Sequence, residues 1–302
     1  MNIDINLLQK KFGKSLHIKE VLSKYSWFNL GGPADVFFRP QNKSDLVHFL
    51  KEVKNSNLKV HILGAGSNTL IRDAGVKGIV IKLSSKFSKI NLIEKDVIEV
   101  GAATLDRTVS NYARDNNIAG MEFLSCIPGS IGGAIIMNSG CYGSDVSKIL
   151  LSINVLDKNG NEKVINKDEI QFSYRGTSLK DDLIILSAKF KGEISSKKVI
   201  SEKQNELIDK KKLSQPNQIK TGGSTFKNQG DKKAWMLIKE SGCDKFSVGD
   251  AKISEKHSNF FINNGNAKTS DIEALITKVK NQVKSKTGIN LELEIKIIGD
   301  EK

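Results

Sequence analysis

The sequence predicts a mixed α+β protein, and three observations carry that prediction. Helix-like and strand-like hydrophobic patterns alternate along the chain in irregular order, without internal repeats or low-complexity tracts. Several short strand-like runs are separated by turn residues, and Asn159-Gly160 is a strong hairpin signal. The 302 residues are 38% hydrophobic and 27% charged, which is typical of a globular chain with a sizeable core. At this length two domains are expected.

The first half of the chain predicts strands that lead into glycine-rich loops. Strands are expected at 34–40, 58–63, 78–83 and 92–100, and helices at 44–55 and 104–117. Leu46, Phe49, Leu50 and Val53 share one face of the first helix. The strand at 58–63 runs directly into Gly64-Ala65-Gly66-Ser67-Asn68-Thr69, and a second glycine-rich loop extends from Pro128 to Gly143.

The second half predicts a hairpin of strands 150–157 and 162–165, and then a strand at 183–190. A polar, Lys-rich helix at 196–212 marks a domain boundary. It precedes helices at 232–241 and 270–286 and strands at 258–263 and 289–298. We therefore expect an N-terminal segment over 1–24, a first domain over 25–195 with lobes of about 25–82 and 83–195, and a second domain over 196–302.

Composition argues against nucleic acid as a partner. The formal net charge is +13, but the chain has five arginines against 42 lysines, and only 6% of its residues are aromatic. Base recognition and phosphate clamping favour Arg, and stacking on bases needs aromatic rings. The positive field still attracts small phosphorylated molecules.

The three cysteines, Cys126, Cys141 and Cys243, form no Cys-x-x-Cys pair. This pattern predicts neither a disulfide framework nor a metal site, and it fits a reducing compartment. The first residues lack the pattern of a secretory signal, and no segment is apolar for the ~18 residues that a membrane span needs. We therefore expect a cytoplasmic protein without membrane association.

The two glycine-rich loops predict a phosphate site. A dinucleotide-binding turn is disfavoured at the first loop, because Thr69 stands at the third glycine position and no helical pattern follows. Backbone N–H groups of such loops can nevertheless surround a phosphate. Gly132-Gly133 in the second loop allows close backbone approach. Two such loops in one domain suit a diphosphate held from both sides.

Three residues are candidates for chemistry, although each also has a simple structural interpretation. Ser224 follows two glycines, but a hydrolase elbow is excluded because Phe226 replaces the last glycine; alone, Ser224 is a turn residue. Arg175 is an arginine in a chain that otherwise uses lysine, which hints at a guanidinium requirement. Period-2 alternation places Glu292 and Glu294 on the polar face of the last strand.

At this point the residues resemble a known family, the UDP-N-acetylenolpyruvoylglucosamine reductases (MurB), from about Tyr25 to Gly299. The resemblance rests on ordered blocks: Asn29-Leu30-Gly31-Gly32-Pro33-Ala34, Leu63-Gly64-Ala65-Gly66-Ser67-Asn68-Thr69-Leu70, Ile127-Pro128-Gly129-Ser130-Ile131-Gly132-Gly133-Ala134, Tyr174-Arg175, Gly223-Ser224-Thr225-Phe226-Lys227-Asn228, Lys256-His257-Ser258-Asn259-Phe260 and Leu291-Glu292-Leu293-Glu294. No tyrosine follows Tyr174, so the chain resembles the subtype that lacks the lid tyrosine.

The resemblance implies a two-lobed FAD-binding domain of the vanillyl-alcohol-oxidase type, followed by an α+β substrate-binding domain. It also implies the activity: NADPH reduces non-covalently bound FAD, which then reduces the enolpyruvyl group of UDP-N-acetylglucosamine enolpyruvate to UDP-N-acetylmuramate. This is a cytoplasmic step of peptidoglycan precursor synthesis. The expected partners are these small molecules only, and the expected state is a monomer.

The resemblance also implies roles for individual residues. Ser224 corresponds to the proton donor, and Arg175 and a protonated Glu294 to the groups that stabilise the substrate carboxylate and enolate. Lys227, Asn228 and His257 are expected to contact substrate, and Lys212, Lys220 and Lys227 are candidates for binding its diphosphate. The expected FAD-binding residues are Gly64, Ala65, Gly66, Ser67, Asn68, Thr69, Pro128, Gly129, Ser130, Gly132, Gly133 and Asn138.

Departures from the family pattern fall in loops: Gln229 replaces a common proline, Gly140-Cys141 a common Ala-Gly, and Gly222 a small residue or cysteine. Two alternatives stay open. One is a flavin oxidase of the same fold that acts on an alcohol or sugar. The other is a flavin-binding module with an inactive site, which would tolerate loss of Ser224, Arg175 and Glu294.

Overall fold

The computed structural model describes residues 4–301 of the chain. The α-helices are α1 Ile5–Phe12, α2 Lys43–Val53, α3 Asp106–Asp115, α4 Ile131–Ile136, α5 Val146–Ile149, α6 Lys197–Ser214, α7 Ala234–Glu240 and α8 Thr269–Thr287. The strands are β1 Leu16–Val21, β2 Pro33–Phe38, β3 Val60–Ile62, β4 Thr69–Ile71, β5 Val76–Ile81, β6 Ile90–Glu94, β7 Val97–Gly101, β8 Ile118–Ala119, β9 Gly140–Cys141, β10 Ser144–Asp145, β11 Leu150–Leu156, β12 Glu162–Asn166, β13 Phe172–Ser173, β14 Gly176–Thr177, β15 Ile184–Lys191, β16 Glu193–Ile194, β17 Lys220–Ser224, β18 Ser247–Val248, β19 Ala251–Ile253, β20 Phe260–Asn263 and β21 Lys296–Ile298.

The chain divides into two compact units. The first unit contains residues 4–18, 36–65 and 78–211, and the second contains residues 19–35, 66–77 and 212–301. Helix α6 belongs to the first unit as far as residue 211, because Leu207 packs in its core and Gln204 Nε2 donates to Ser110 O at 3.0 Å. The sequence instead placed a domain boundary at residue 196. Compact units and evolutionary domains need not coincide, so the predicted domain bounds stay a prediction.

A five-stranded antiparallel sheet dominates the first unit, in the order β12-β11-β15-β7-β6. Its apolar face packs against α3, where Val109 and Ala113 are buried. A second core of this unit surrounds α2, whose predicted apolar face is confirmed because all four of its residues are buried. At the edge of the sheet beside this core, β3 pairs in parallel with β5, and the chain after β3 leads through Leu63 into the first glycine-rich loop.

The second unit is built on an antiparallel sheet in the order β17-β20-β19-β18 and on a parallel pair of β4 and β21. Helix α8 buries Ile272, Leu275, Ile276, Val279 and Val283 in the core, which is the spacing of an amphipathic helix. Gly288 ends this helix in the left-handed conformation with φ of 73°.

Three sequence-based assignments differ from the structure. The expected strand at 92–100 is a hairpin of β6 and β7, because polar Lys95-Asp96 reverses the chain. The second glycine-rich loop contains the short helix α4, whose buried Ile131, Ala134 and Ile135 have helical spacing. The last strand covers only residues 296–298 rather than 289–298.

No helix within residues 4–301 is both long enough and apolar enough to cross a membrane.

Candidate functional site

The first glycine-rich loop begins where β3 ends, and in the first unit it contributes Gly64 and Ala65. Leu63 N donates to Ile81 O at 2.9 Å, which is the last hydrogen bond before the loop. Within residues 4–301, no protein group accepts a hydrogen bond from the backbone N–H of Gly64 or Ala65. These two donors are therefore available to a ligand.

The second glycine-rich loop adjoins the first. A Cβ added at Gly64 would lie 2.9 Å from Ser130 Oγ, so a side chain would fill the space between the loops. The loop is anchored on α3 because Asp106 N donates to Gly129 O at 3.2 Å and Ile131 N to Thr104 O at 2.9 Å. In the described part of the chain, the N–H groups of Ser130 and Gly133 also have no protein acceptor.

This cradle fits the diphosphate of a dinucleotide cofactor. Among residues 4–301, these four backbone N–H groups have no protein acceptor; they lie on the first loop and at the start of α4 in the second, and Gly64 keeps the space between the loops clear. Such donors bind anions well because each N–H carries a partial positive charge and needs no reorganisation. The structure thus brings together Gly64, Ala65, Gly129, Ser130, Gly132 and Gly133, all predicted cofactor residues.

Lys82 is a cation beside this cradle that the sequence analysis missed. Its Nζ donates to Gly64 O. Burial, with a smaller contribution from Arg39, lowers the pKa of Lys82 to about 8. A buried ammonium and a neighbouring guanidinium favour an anion at this end of the first loop. In the sequence, Lys82 directly follows a buried strand, and that strand pairs with the strand that leads into the first glycine-rich loop. This position is the signal that could have identified Lys82.

Asp106 is a second missed residue, and it lies under the second loop. It is fully buried, and within residues 4–301 no group hydrogen-bonds to either carboxylate oxygen. Burial raises the pKa of Asp106 well above its ordinary value, because the charged form loses its hydration. The neutral acid can therefore donate one hydrogen bond at the base of the loop.

Other predicted cofactor residues have structural partners. Gly66 has a φ of +72°, and an added Cβ would lie 1.9 Å from Tyr25 O. Asn68 Nδ2 donates to Glu294 O at 3.0 Å, within the second unit. Asn138 Nδ2 donates to Ser173 O at 3.1 Å, and its Oδ1 accepts from Ser147 N at the same distance. Asn138 therefore ties its loop to β13; its contact with cofactor stays a prediction, as do those of Ser67, Thr69 and Pro128.

Arg175 is held in a defined orientation in the first unit. Its φ of 60° lies in the left-handed region, which is unusual for a residue with a side chain. The guanidinium stacks on the ring of Tyr174 at 4.9 Å, and Nη2 donates to Gly140 O at 3.1 Å. Strained backbone of this kind persists where the surroundings impose it, and functional sites are enriched in it.

Ser224 and Glu294 are brought together in the second unit. Ser224 ends β17, and the backbone N–H of Glu294 donates to O of the next residue, Thr225, at 2.8 Å. The pairing continues through Lys227 N, which donates to Glu292 O at 2.8 Å. Ser224 and Glu294 are half-buried, whereas the side chain of Glu292 is 67% exposed. The structure thus distinguishes two glutamates that the sequence placed on the same polar face.

The predicted substrate residues lie around this pairing. Lys227 Nζ is 3.8 Å from Glu292 Oε2, a weak ion pair in which the glutamate is exposed and the lysine half-buried. Asn228 Oδ1 accepts from Ala234 N at 3.0 Å and so holds the start of α7. His257 Nδ1 accepts from Asn259 N at 3.2 Å, and burial lowers the pKa of His257. The lowered pKa favours the neutral imidazole, and because Nδ1 accepts a hydrogen bond, the ring proton of this form lies on Nε2.

Comparison with known proteins decides the family. Residues 215–298 match the family model described as UDP-N-acetylenolpyruvoylglucosamine reductase, C-terminal domain, and residues 34–166 match an FAD binding domain. The UDP-N-acetylenolpyruvoylglucosamine reductase of Pelagibacter ubique is 48% identical over 298 residues, which cover 98% of both chains. The chain belongs to the UDP-N-acetylenolpyruvoylglucosamine reductase family.

Other members of the family are also similar to this chain over most of its length. The reductase of Orientia tsutsugamushi (strain Ikeda) is 42% identical and covers 92% of both chains. The crystal structure of MurB from Thermus caldophilus matches with a TM-score of 0.81 at 30% identity, covering 93% of this chain and 97% of that chain.

The family membership confirms several predictions. The fold class is confirmed: the chain is α+β, and an FAD-binding domain is followed by the C-terminal domain characteristic of the family. FAD is confirmed as the cofactor, and the chain is an oxidoreductase. The alternatives of a sugar or alcohol oxidase and of an inactive binding module are not favoured.

Proposed function

We propose that this chain reduces the enolpyruvyl group of UDP-N-acetylglucosamine enolpyruvate to the lactyl ether of UDP-N-acetylmuramate, with NADPH as the hydride donor. The observation that supports the proposal is the pairing of the segment after Ser224 with the segment of Glu294, through Glu294 N and Thr225 O, in the domain characteristic of the family. Relatives that carry the reductase name cover nearly the whole chain.

FAD, when bound, supplies hydride transfer from the nicotinamide to the terminal alkene carbon. The chain's own residues then bind the cofactor diphosphate, deliver a proton to the substrate and stabilise the developing negative charge. The N–H groups of Gly64, Ala65, Ser130 and Gly133 bind the cofactor diphosphate. The Ser224 hydroxyl delivers a proton to the carbon next to the substrate carboxylate, which becomes negatively charged as hydride arrives. A proton donor at that carbon is needed because the enolate cannot otherwise collapse to the saturated ether.

The remaining charge lies on the substrate carboxylate. Arg175, with its guanidinium already fixed by Tyr174 and Gly140, is suited to a planar carboxylate because both groups can hydrogen-bond at two points. Glu294, acting as a neutral acid, donates to the developing enolate. Donors fixed before the reaction stabilise this charge without reorganisation in the transition state.

We further propose that the enzyme works in the cytoplasm as a monomer and serves peptidoglycan precursor synthesis. Its substrates are charged nucleotides, which do not cross membranes unaided. The net charge of +13 favours their encounter with the protein.

The test is an anaerobic assay of the purified holoenzyme with NADPH and the enolpyruvyl nucleotide. We expect NADPH oxidation in equal amount to nucleotide consumed, and UDP-N-acetylmuramate as product. In a parallel aerobic assay, an oxidase would instead consume oxygen with sugars or alcohols, and it would leave the enolpyruvyl nucleotide unchanged in the anaerobic assay. Protein that binds FAD but oxidises NADPH with neither acceptor would indicate a binding module.

A further inference from the structure

Two cysteine thiols lie side by side in the first unit, and the proposed reaction uses neither. Cys126 ends the short helix Glu122–Cys126, and Cys141 lies in β9. The two thiols are close enough that each is the main influence on the pKa of the other. Cys141 Sγ also lies 3.4 Å from the carbonyl oxygen of Phe123, on the helix that carries Cys126. The pair is therefore part of one packed contact between this helix and β9.

Charged and polar groups around the pair favour a thiolate. Lys211 on α6 donates from Nζ to Cys126 O at 2.7 Å, and Ser125 Oγ lies 3.7 Å from Cys126 Sγ. Arg175 adds a positive charge near Cys141. The neighbouring Cys141 thiol is the main cause that lowers the pKa of Cys126 to about 6, and Cys126 in turn is the main cause that raises the pKa of Cys141. The pair thus loses its first proton easily and keeps the second.

We propose that Cys126 and Cys141 form a reversible intramolecular disulfide when the protein meets a hydroperoxide. The Cys126 thiolate attacks one peroxide oxygen, the O–O bond breaks, and the leaving oxygen takes a proton; with hydrogen peroxide, the products are Cys126 sulfenic acid and water. The Cys141 sulfur then attacks the Cys126 sulfur, the S–O bond breaks, and a second water leaves with the Cys141 proton. The two thiols give up two electrons, which reduce the peroxide, and a dithiol reverses the bond by exchange.

The surroundings of the pair suit this chemistry. Cys126 is 6% exposed, which admits only small oxidants, while Cys141 is more accessible. Cys243, the third cysteine, is completely buried in the second unit, and burial raises its pKa to about 11. It provides an internal control, since a thiol with that pKa is protonated at neutral pH and reacts slowly.

The disulfide would also act on Arg175. The Arg175 guanidinium donates to the carbonyl of Gly140, the residue before Cys141 in β9. Two sulfur atoms in a disulfide are only ~2.05 Å apart, so bond formation draws β9 toward the helix of Cys126. This consequence rests on the proposed function: the oxidised enzyme should reduce the enolpyruvyl nucleotide more slowly, while reduction of its FAD by NADPH is unchanged.

The decisive experiment is peptide mapping of the FAD-loaded protein after treatment with hydrogen peroxide and alkylation of the remaining thiols. We expect one cross-linked peptide joining Cys126 to Cys141, lighter by two hydrogen atoms than the reduced pair, and its loss on treatment with dithiothreitol. Cys126→Ala and Cys141→Ala should each abolish the cross-link, and the matched control Cys243→Ala should retain it.

Three results would overturn the proposal: all three thiols remain free to alkylate, one of the pair stops at sulfinic acid, or the cross-link joins separate molecules. The mapping uses wild-type protein, so it decides the question even if a variant folds poorly.

The rate of iodoacetamide alkylation at Cys126 gives a second measurement. We expect its pH midpoint at about 6, compared with about 8.5 for an ordinary thiol. A midpoint of 8.5 or above would also overturn the proposal. Neither measurement involves turnover, so failure of the disulfide and failure of the proposed reductase activity are distinguishable.

Discussion

The role of Ser224 can be tested because either Ser224 or the nearby Glu294 could supply the proton to the substrate carbon. Ser224→Ala should leave FAD bound and reduced by NADPH at the wild-type rate, since that step needs no proton at the substrate carbon. Reoxidation by the enolpyruvyl nucleotide should slow about 10²–10⁴-fold, the usual contribution of a general acid. Stopped-flow absorbance separates the two steps.

The matched control is Ser247→Ala, an exposed serine in β18. It should change neither rate. If Ser224→Ala reoxidises as fast as wild type, Ser224 is a turn residue and the proton comes from Glu294 or water.

Glu294 and Glu292 form a second matched pair. Glu294→Gln should slow reduction of the nucleotide by at least about 10²-fold, because the amide is a weaker acid than the carboxyl group. Glu292→Gln should stay within about twofold of wild type, since its side chain is 67% exposed and its ion pair with Lys227 is screened by water. Equal losses in both variants, measured as kcat/KM, would contradict the assignment.

Asp106 predicts a pH dependence of stability. Its pKa is raised in the folded protein, so above the unfolded-state pKa of about 3.9 the folded protein binds more protons than the unfolded chain. Stability should therefore fall as pH rises from about 4 toward the folded-state pKa, by up to about 1.4 kcal/mol per pH unit from this group.

Asp106→Asn removes this pH dependence of stability because the amide does not titrate. When urea unfolding is measured from pH 5 to pH 8, the free energy of unfolding of the variant should rise relative to that of the wild type as pH increases. A constant difference between the two proteins over this range would mean that Asp106 does not carry the predicted shift.

At the scale of elements, the first glycine-rich loop depends on Gly66. Gly66→Ala would combine a left-handed φ with a Cβ 1.9 Å from Tyr25 O, and the backbone must move to relieve the clash. We expect a loss of about 3 kcal/mol or more in the free energy of unfolding. Gly143→Ala is the matched control, because its φ is +82° but an added Cβ meets nothing within 4 Å.

Gly143→Ala should lower the free energy of unfolding only by the penalty of a left-handed backbone for a residue with a side chain, about 1–2 kcal/mol. Similar losses in the two variants, measured by denaturant unfolding, would show that the clash at Gly66 relaxes cheaply.

At the scale of the whole molecule, the cofactor is a source of stability. FAD bound to the folded state alone should stabilise the protein by about 2.7 kcal/mol at a free concentration of 100 times its Kd. The apoprotein should therefore unfold at a lower temperature, and added FAD should restore the midpoint.

Acid precipitation should release the yellow colour into the supernatant, because no covalent link is expected. Equal melting midpoints with and without FAD, or colour retained in the precipitate, would contradict the prediction.

The sequence by itself determined the α+β class, the positions of the helices α2, α3, α6, α7 and α8, and the family. Periodicity located α2 because four apolar residues on one face had to be buried. Asn159-Gly160 located the hairpin of β11 and β12, and in the loop 157–161 Gly160 takes a positive φ of 82°. The candidate residues Ser224, Arg175 and Glu294 came from ordered motifs, whose types and spacing are visible without a fold.

Only the tertiary structure decided which of those residues meet and what surrounds them. Alternation put Glu292 and Glu294 on one face, but in the structure Glu294 is half-buried whereas the side chain of Glu292 is 67% exposed. The backbone pairing that holds both glutamates joins segments far apart in sequence. Lys82, Asp106 and the thiol pair of Cys126 and Cys141 were missed for the same reason. Burial and neighbouring charge shift their pKa values, and both arise from contacts between distant segments that no local pattern records.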